Sequence, residues 1–146
     1  MSVPALGRVG VLDTNAVVLL ERLDPADLPV EPVITAITLA ELSVGPLVAG
    51  DPAEQAARQA RLQEVENAFD PLPFDAAAAR AFGRIAAGLR RGGRRVQARA
   101  FDALIAATAM ASDLPVYTCN ARDFERIDGL RVVAIPHPDE LGGSPG

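Results

Sequence analysis

The sequence has no lysine, no tryptophan and few of the side chains that usually perform acid–base or nucleophilic catalysis. All 14 of its basic residues are arginine, which excludes a P-loop lysine, a Schiff-base lysine and the lysine of a receiver domain. Its one histidine, His137, lies in a Pro-His-Pro segment near the C terminus, where a histidine-dependent catalytic unit is not expected. The one cysteine, Cys119, excludes an internal disulfide and a cysteine-based zinc site. Any chemistry that the chain performs alone therefore falls to its carboxylates.

Length and charge narrow the class of protein further. The chain has 146 residues, which suits one domain, and we expect its core at about 8–135 and a flexible tail at 136–146. The formal charge of −5 argues against binding nucleic acid through bulk positive charge, although not against a local basic patch. No signal-peptide pattern opens the sequence, and no apolar run reaches the roughly 18 residues of a membrane span. We therefore expect a cytoplasmic protein.

Short apolar runs alternate with helical patterns along the chain. Buried strands are predicted at 8–12, 33–36, 115–119 and 130–135. Helices are predicted at 16–23, from Thr38 to about Val44, at 52–69, from an N-cap at Asp75 to about Arg91, and at 99–111. The segment 24–32 holds three prolines and is predicted to be irregular, and 70–74 is predicted to be a break or a short edge strand. The alternation predicts an α/β fold with a mostly parallel sheet that is covered on both faces.

Acidic and amide side chains follow three of the predicted strands. Asp13 comes directly after the first strand, and Asn120 and Asp123 come directly after the third. Glu41 lies one turn into the helix that follows the second strand. Because ligands of open parallel sheets bind beyond the carboxyl ends of the strands, these side chains are predicted to meet at one edge of the sheet.

Asp102 is the fourth carboxylate and the most informative residue of the sequence. Its helical neighbours, Ile105, Ala106 and Ala109, form an apolar face of small residues. A charged group on such a face needs a partner, because burial of an isolated charge is costly. Arg99, three residues earlier on the same helix, could be that partner and would give Asp102 a purely structural explanation.

The other carboxylates also have structural explanations. Asp13 could cap the first helix, the spacing of Thr38 and Glu41 fits a capping box, and Asp123 could be a turn residue. Their convergence favours a site instead, since ionised carboxylates in one cleft repel each other and no lysine or histidine is near to compensate. A hard cation would compensate, and oxygen ligands favour Mg²⁺ or Mn²⁺. Such a site favours metal-assisted hydrolysis of a phosphodiester.

Four segments of the chain resemble the ordered motifs of the PIN-domain family and, within it, the VapC-type toxins of bacterial toxin–antitoxin pairs. They are Val11-Leu12-Asp13-Thr14-Asn15, Thr38-Leu39-Ala40-Glu41-Leu42, Asp102-Ala103-Leu104-Ile105-Ala106-Ala107-Thr108-Ala109 and Thr118-Cys119-Asn120-Ala121-Arg122-Asp123-Phe124. The resemblance implies a PIN-like three-layer α/β/α sandwich and a Mg²⁺- or Mn²⁺-dependent endoribonuclease. It also implies a homodimer that a VapB-type antitoxin inhibits.

The resemblance assigns roles to particular residues of these motifs. It makes Asp13, Glu41 and Asp102 metal ligands and catalytic residues, and it places Asp123 at the fourth acidic position. Asn120 stands at a position that is acidic in some relatives, which leaves open whether Asn120 or Asp123 is nearer the metal. Supporting roles fall to three residues that would orient carboxylates or water through hydrogen bonds, namely Thr14, Asn15 and Thr118.

A cluster of arginines suggests where RNA would bind. The candidates are Arg90, Arg91, Arg94, Arg95 and Arg99, with Arg122 as a weaker one. Arginine pairs with phosphate through two parallel hydrogen bonds, so these residues could contact an RNA backbone. A solvated, flexible loop is the alternative explanation for the Arg-Arg-Gly-Gly-Arg-Arg segment.

Other functions fit the sequence less well. A non-catalytic PIN-like domain that binds RNA or a protein remains an alternative, although the filled acidic positions argue against a degenerate site. A phosphatase of the haloacid dehalogenase type is suggested by Leu12-Asp13-Thr14-Asn15, but it would need an aspartate at position 15 and a lysine.

Overall fold

The computed structural model describes residues 8–95 and 99–142, and its centre is one parallel sheet. The strands are β1 (Val9–Leu12), β2 (Glu31–Val33), β3 (Val116–Thr118) and β4 (Val132–Ala134). They are ordered β2-β1-β3-β4, and every neighbouring pair is parallel. Three of the four strands therefore lie where the sequence predicts them, and the sheet is parallel throughout.

Six helices surround this sheet in the described part of the chain. They are α1 (Thr14–Val18), α2 (Ala36–Val44), α3 (Pro52–Ala68), α4 (Ala76–Arg91), α5 (Ala100–Ala111) and α6 (Pro138–Gly142). Asp75 caps α4 as predicted, because its Oδ1 accepts a hydrogen bond of 2.9 Å from the amide of Ala78. No helix within residues 8–95 and 99–142 is both long and apolar enough to cross a membrane.

The two faces of the sheet bury two separate hydrophobic clusters. Val11 and Val116 point to one face, where they pack against residues of α4 and α5. Their neighbours Leu12 and Tyr117 point to the other face, where they pack against residues of α1, α2 and α3. This alternation follows from the two-residue period of a strand. The result is the three-layer α/β/α sandwich that the resemblance implied.

The second strand does not lie where the sequence predicts it. β2 covers Glu31–Val33 and so begins inside the segment 24–32 that was predicted to be irregular. Its proline, Pro32, is compatible with a strand because β2 lies at an edge of the sheet, where one side needs no amide donor. Leu72 makes a single parallel bridge with Thr35, so the break at 70–74 pairs with the chain just after β2.

The start of α2 also differs from the prediction, and this changes the explanation of Glu41. Thr35 is the N-cap of α2, because its Oγ1 accepts a hydrogen bond of 3.3 Å from the amide of Thr38. Thr38 is thus a fully buried residue inside the helix. The capping box considered as an alternative explanation of Glu41 is therefore absent, and Glu41 does not cap the helix.

A short helix lies in the segment that was expected to be a flexible tail. Residues Pro138–Gly142 form α6, and an ion pair of 2.6 Å joins Asp139 Oδ1 to Arg22 Nη2. The amide of Asp139 also donates to Nδ1 of His137. The C-terminal segment is thus attached to the turn after α1 as far as the described residues extend, and 143–146 lie beyond them.

Candidate active site

Four carboxylates from separate parts of the chain come together at the carboxyl edge of the sheet. Asp13 follows β1 and Asp123 follows the adjacent β3, while Glu41 comes from α2 and Asp102 from the first turn of α5. The negative charges of Asp123, Asp13 and Glu41 all act on Asp102 and raise its pKa. We call these four residues the acidic cluster.

Asp13 is the most buried member of the acidic cluster, with 5% of its surface exposed. Its Oδ1 caps α1 by accepting a hydrogen bond of 2.9 Å from the amide of Ala16. Its Oδ2 accepts one of 2.6 Å from the hydroxyl of Thr118, at the end of the adjacent strand. Burial raises the pKa of Asp13, and the charge of Asp123 adds to this rise, while the two hydrogen bonds oppose it. Asp13 therefore both caps a helix and belongs to the cluster.

Two threonines hold Glu41 in place. Thr14 Oγ1 donates a hydrogen bond of 2.5 Å to Glu41 Oε1, and the same oxygen lies 3.0 Å from Thr38 Oγ1. A hydroxyl has one proton to donate, so Thr38 donates to Thr14 while Thr14 donates to Glu41. This relay links the start of α1 to α2. The sequence indicated Thr14 as a supporting residue but missed the part that Thr38 plays.

Asp123 is bound by two neighbours. Its Oδ1 accepts a hydrogen bond of 2.5 Å from Arg99 Nη1, and its Oδ2 accepts one of 2.8 Å from Asn120 Nδ2. The backbone amide of Asn120 in turn donates a hydrogen bond of 2.9 Å to Thr118 Oγ1. Asn120 thus orients Asp123 in this structure.

Of the four carboxylates, Asp102 has the weakest contacts with hydrogen-bond donors or positive charges that could offset its negative charge. Arg99 Nη1 lies 3.9 Å from its Oδ2, farther than from Asp123, and no donor within the described residues gives it a hydrogen bond. Its side chain is 27% exposed. Burial and the charges of the other three carboxylates raise its pKa to about 6, and Arg99 opposes this rise. The structural explanation of Asp102 as the partner of Arg99 therefore accounts for little of its position.

A cavity of about 380 Å³ adjoins the acidic cluster. It is lined by Asp102 and Asp123 and by five arginines, which are Arg94, Arg95, Arg99, Arg122 and Arg126. Arg90 and Arg91, although predicted as RNA contacts, do not line it. The sequence analysis missed Arg126, whose only signal is that it lies four residues after Arg122 and three after Asp123. Asn15 is exposed, and its side chain makes no hydrogen bond to any described residue.

Comparison with known proteins identifies the family. The profile of the PIN domain matches residues 10–130, which cover most of the chain and the whole acidic cluster. The chain belongs to the PIN-domain family. Among curated relatives of this PIN-domain protein, Ribonuclease VapC5 of Mycobacterium tuberculosis is 41% identical over 129 residues, which are 86% of this chain and 93% of the relative. The tRNA(fMet)-specific endonuclease VapC of Shigella flexneri is 40% identical over 102 residues, or 67% and 70% of the two chains.

Solved structures agree with this assignment. A chain in the crystal structure of VapBC-5 from Mycobacterium tuberculosis, a member of the VapBC family of toxin-antitoxin systems, superimposes with a TM-score of 0.77. It is 38% identical, and the match covers 87% of this PIN-domain protein and 98% of that chain. DNA-bound VapBC from Salmonella typhimurium gives a TM-score of 0.68 at 30% identity, with 86% and 96% coverage.

The acidic cluster fits the divalent cation on which PIN-domain ribonucleases generally depend. Its donors are carboxylate oxygens, and Asp102 lacks a hydrogen-bond donor within the described residues. The described residues nevertheless contain no group of three acidic, histidine or cysteine side chains already arranged to hold a metal ion. In this structure Arg99 and Asn120 donate hydrogen bonds to the two carboxylate oxygens of Asp123.

Proposed function

We propose that this protein is the endoribonuclease toxin of a VapBC-type toxin–antitoxin pair, and that Mg²⁺ or Mn²⁺ is its metal. The VapC ribonucleases among its relatives and the VapBC complexes among its structural neighbours support the activity. The observation that carries the proposal is the convergence of three carboxylates on Asp102, whose pKa is raised to about 6 by burial and by their negative charges.

The residues of the site have separate tasks in this proposal. Asp13, Glu41, Asp102 and Asp123 are the catalytic carboxylates that hold the ion, and Asn120 orients Asp123. The hydroxyl of Thr118 keeps Asp13 in a single orientation, and that of Thr14 does the same for Glu41. No role follows for Asn15, which makes no side-chain hydrogen bond to a described residue.

The chain has no lysine, and its one histidine, His137, lies on the C-terminal segment, where it contacts Asp139. A bound divalent ion lowers the pKa of a water molecule and offsets the charge that develops on a phosphate. Hydrogen bonds hold three of the carboxylates in defined rotamers before RNA binds, so the ligands of the ion are already oriented. RNA is held beside them by arginine side chains, which supply the positive charge that the acidic cluster lacks.

The remaining proposals concern the cellular location, the oligomeric state, the partner and the domain organisation of the protein. We expect it to work in the cytoplasm, where RNA is available, as a homodimer that a VapB-type antitoxin inhibits. We also expect one PIN-like domain with its core at about 8–135, which the extent of the PIN match supports.

Cleavage of RNA by the purified protein tests the function. Total bacterial RNA and tRNA are incubated with the wild type in Mg²⁺, in Mn²⁺ and in EDTA, and the same reactions are run with Asp102→Asn. The matched control is Asp70→Asn, because Asp70 is an exposed carboxylate with no hydrogen bond or ion pair within the described residues.

We expect discrete fragments from the wild type and from Asp70→Asn, only with metal, and none from Asp102→Asn. Fragments from Asp102→Asn at the wild-type rate would contradict the proposed site. A folded wild-type protein that binds RNA but cuts none of these substrates with either metal would favour the non-catalytic binding domain.

A further inference from the structure

The arginine-lined cavity has a composition that the acidic cluster alone does not explain. Four of its arginines come from two separate segments, Arg94 and Arg95 after α4 and Arg122 and Arg126 around the turn Ala121–Phe124. Each is exposed, and none forms an ion pair or a side-chain hydrogen bond with another described residue. Arginines clustered for stability would pair with nearby carboxylates. The guanidinium groups of these four have no such partner among the described residues and line a concave surface.

The cavity is continuous with the acidic cluster. Asp102 and Asp123 belong to both, and Arg99 lies on the wall that the two share. A polyanion whose reacting group lies at the acidic cluster would therefore place its neighbouring group in the cavity.

Part of the cavity lining is apolar. Leu89 of α4, Ala103 of α5 and Ile127 are buried and line the cavity together with the exposed arginines. Its volume of about 380 Å³ is within the range of roughly 300–1,000 Å³ of small-molecule sites. A cavity lined by guanidinium groups and apolar side chains suits a group that has a phosphate at one end and a flat base or ribose at the other.

We propose that this cavity binds the nucleotide next to the scissile phosphodiester of a single-stranded RNA, with Arg122 and Arg126 contacting its phosphate. The proposal rests on the proposed function for the place of the scissile bond, but binding in the cavity needs no metal. Guanidinium groups bind phosphate oxygens through paired hydrogen bonds, and their positive charge offsets the repulsion of RNA by a chain of formal charge −5.

An acidic protein segment is the other polyanion that arginines could bind. The cavity favours RNA, because the apolar side chains that line it can pack against a base, which a chain of acidic side chains does not supply. In RNA, each phosphate is separated from the next by a ribose and carries an uncharged base. Such a chain can place its charges on the arginines and its base on the apolar side chains.

Equilibrium binding of a fluorescent 12-nucleotide single-stranded RNA tests the proposal. Binding is measured in EDTA, so that no cleavage interferes, at several NaCl concentrations. The variant is Arg122→Gln/Arg126→Gln, and the matched control is Arg61→Gln/Arg80→Gln, which removes the same charge from exposed positions of α3 and α4. Circular dichroism and thermal melting show whether both variants fold.

Loss of two phosphate contacts should reduce the slope of log K against log[salt] by about 1.4, because each contact to a single strand releases about 0.7 counterions. If the variant and the wild type bind equally well at 1 M salt, this change in slope corresponds to a loss of affinity of roughly 60-fold at 50 mM NaCl and roughly tenfold at 200 mM. The control should lose much less, since its arginines lie outside the cavity.

Equal losses in both variants would overturn the proposal, since they would show an effect of net charge alone. It would also fail if a folded cavity variant bound RNA like the wild type, or if a polyglutamate peptide bound through Arg122 and Arg126 while RNA did not. Cleavage by the wild type is measured separately. Metal-dependent cleavage without cavity-dependent binding would contradict this inference alone, and the reverse would contradict the proposed nuclease alone.

Discussion

Replacing Asp102 with asparagine should make the metal-free protein more stable. Asparagine has nearly the same shape but carries no charge, so the change removes the electrostatic cost of ionising a half-buried carboxylate beside three others. The residue is thus proposed to be required for cleavage while it opposes folding in the absence of metal. Conflict of this kind between stability and activity is expected at an active site.

The magnitude follows from the pKa. Asp102 has a pKa of about 6 in the folded protein against 3.8 for an ordinary aspartate, and a difference of about 2 units corresponds to about 3 kcal/mol at neutral pH. Because 27% of the side chain is exposed, screening by solvent reduces this to about 2 kcal/mol. For a chain of this size, we expect the melting temperature to rise by about 4–8 °C.

The gain in stability should depend on pH with a defined sign. The folded-state pKa of Asp102 is raised, so between pH 4 and 6 the folded protein binds more protons than the unfolded chain. Increasing pH through this window therefore destabilises the wild type relative to Asp102→Asn. The difference should be almost absent below pH 4, should be about half-developed at pH 5 and should be complete above pH 7.

Urea unfolding of the wild type and Asp102→Asn, in EDTA at pH 5 and pH 7.5, measures this difference directly. Asp70→Asn should change stability by less than about 0.5 kcal/mol at either pH, since Asp70 is exposed and has no described partner. A variant Asp102→Asn that is no more stable than the wild type at pH 7.5 would refute the reasoning. Addition of Mg²⁺ should then stabilise the wild type more than the variant, because ligand binding favours the folded state.

Three further substitutions test the framework around the site. Thr118→Val keeps the shape but removes the hydroxyl that donates to Asp13, so urea unfolding should show a loss of about 1–3 kcal/mol that Thr118→Ser avoids. Gly10→Ala should cost about 1–3 kcal/mol, because the new Cβ would lie 2.6 Å from Cδ1 of Tyr117, and wild-type stability would show that the ring can move. Gly83→Ala should instead stabilise α4 by about 0.5–1 kcal/mol, since nothing lies within 4 Å of its Cβ, and a loss of stability would contradict this.

The fold was predictable because it depends on patterns that are local in the sequence. Val11 and Val116 belong to short apolar runs between helical segments, and such runs predict a buried parallel sheet without reference to any partner. The position of β2 was not predictable in the same way. Pro32 counts against a strand locally, and only the place of β2 at the sheet edge, which is a tertiary property, makes it acceptable.

The convergence of the acidic cluster was predictable for a related reason, but the partners of its members were not. Parallel strands all end at the same edge of a sheet, so Asp13 and Asp123, which follow two of the predicted strands, could be placed at one edge from the sequence. The hydrogen bond from Arg99 to Asp123 spans 24 positions, whereas the sequence suggested the nearer Asp102. Thr38 was missed because its role depends on a hydroxyl relay between two helices.

The way the chain satisfies its carboxylates explains why a cation is needed. Asp13 and Glu41 accept hydrogen bonds from neutral donors, the hydroxyls of Thr118 and Thr14 and a backbone amide. Neutral donors orient a carboxylate without removing its charge, so the charges persist and raise the pKa of Asp102. Arg99 opposes this rise, but its closer contact is with Asp123. A lysine in this place would offset part of the charge of the cluster and occupy the position that we assign to the metal, whereas hydroxyl groups orient the carboxylates and leave their charge available to a cation.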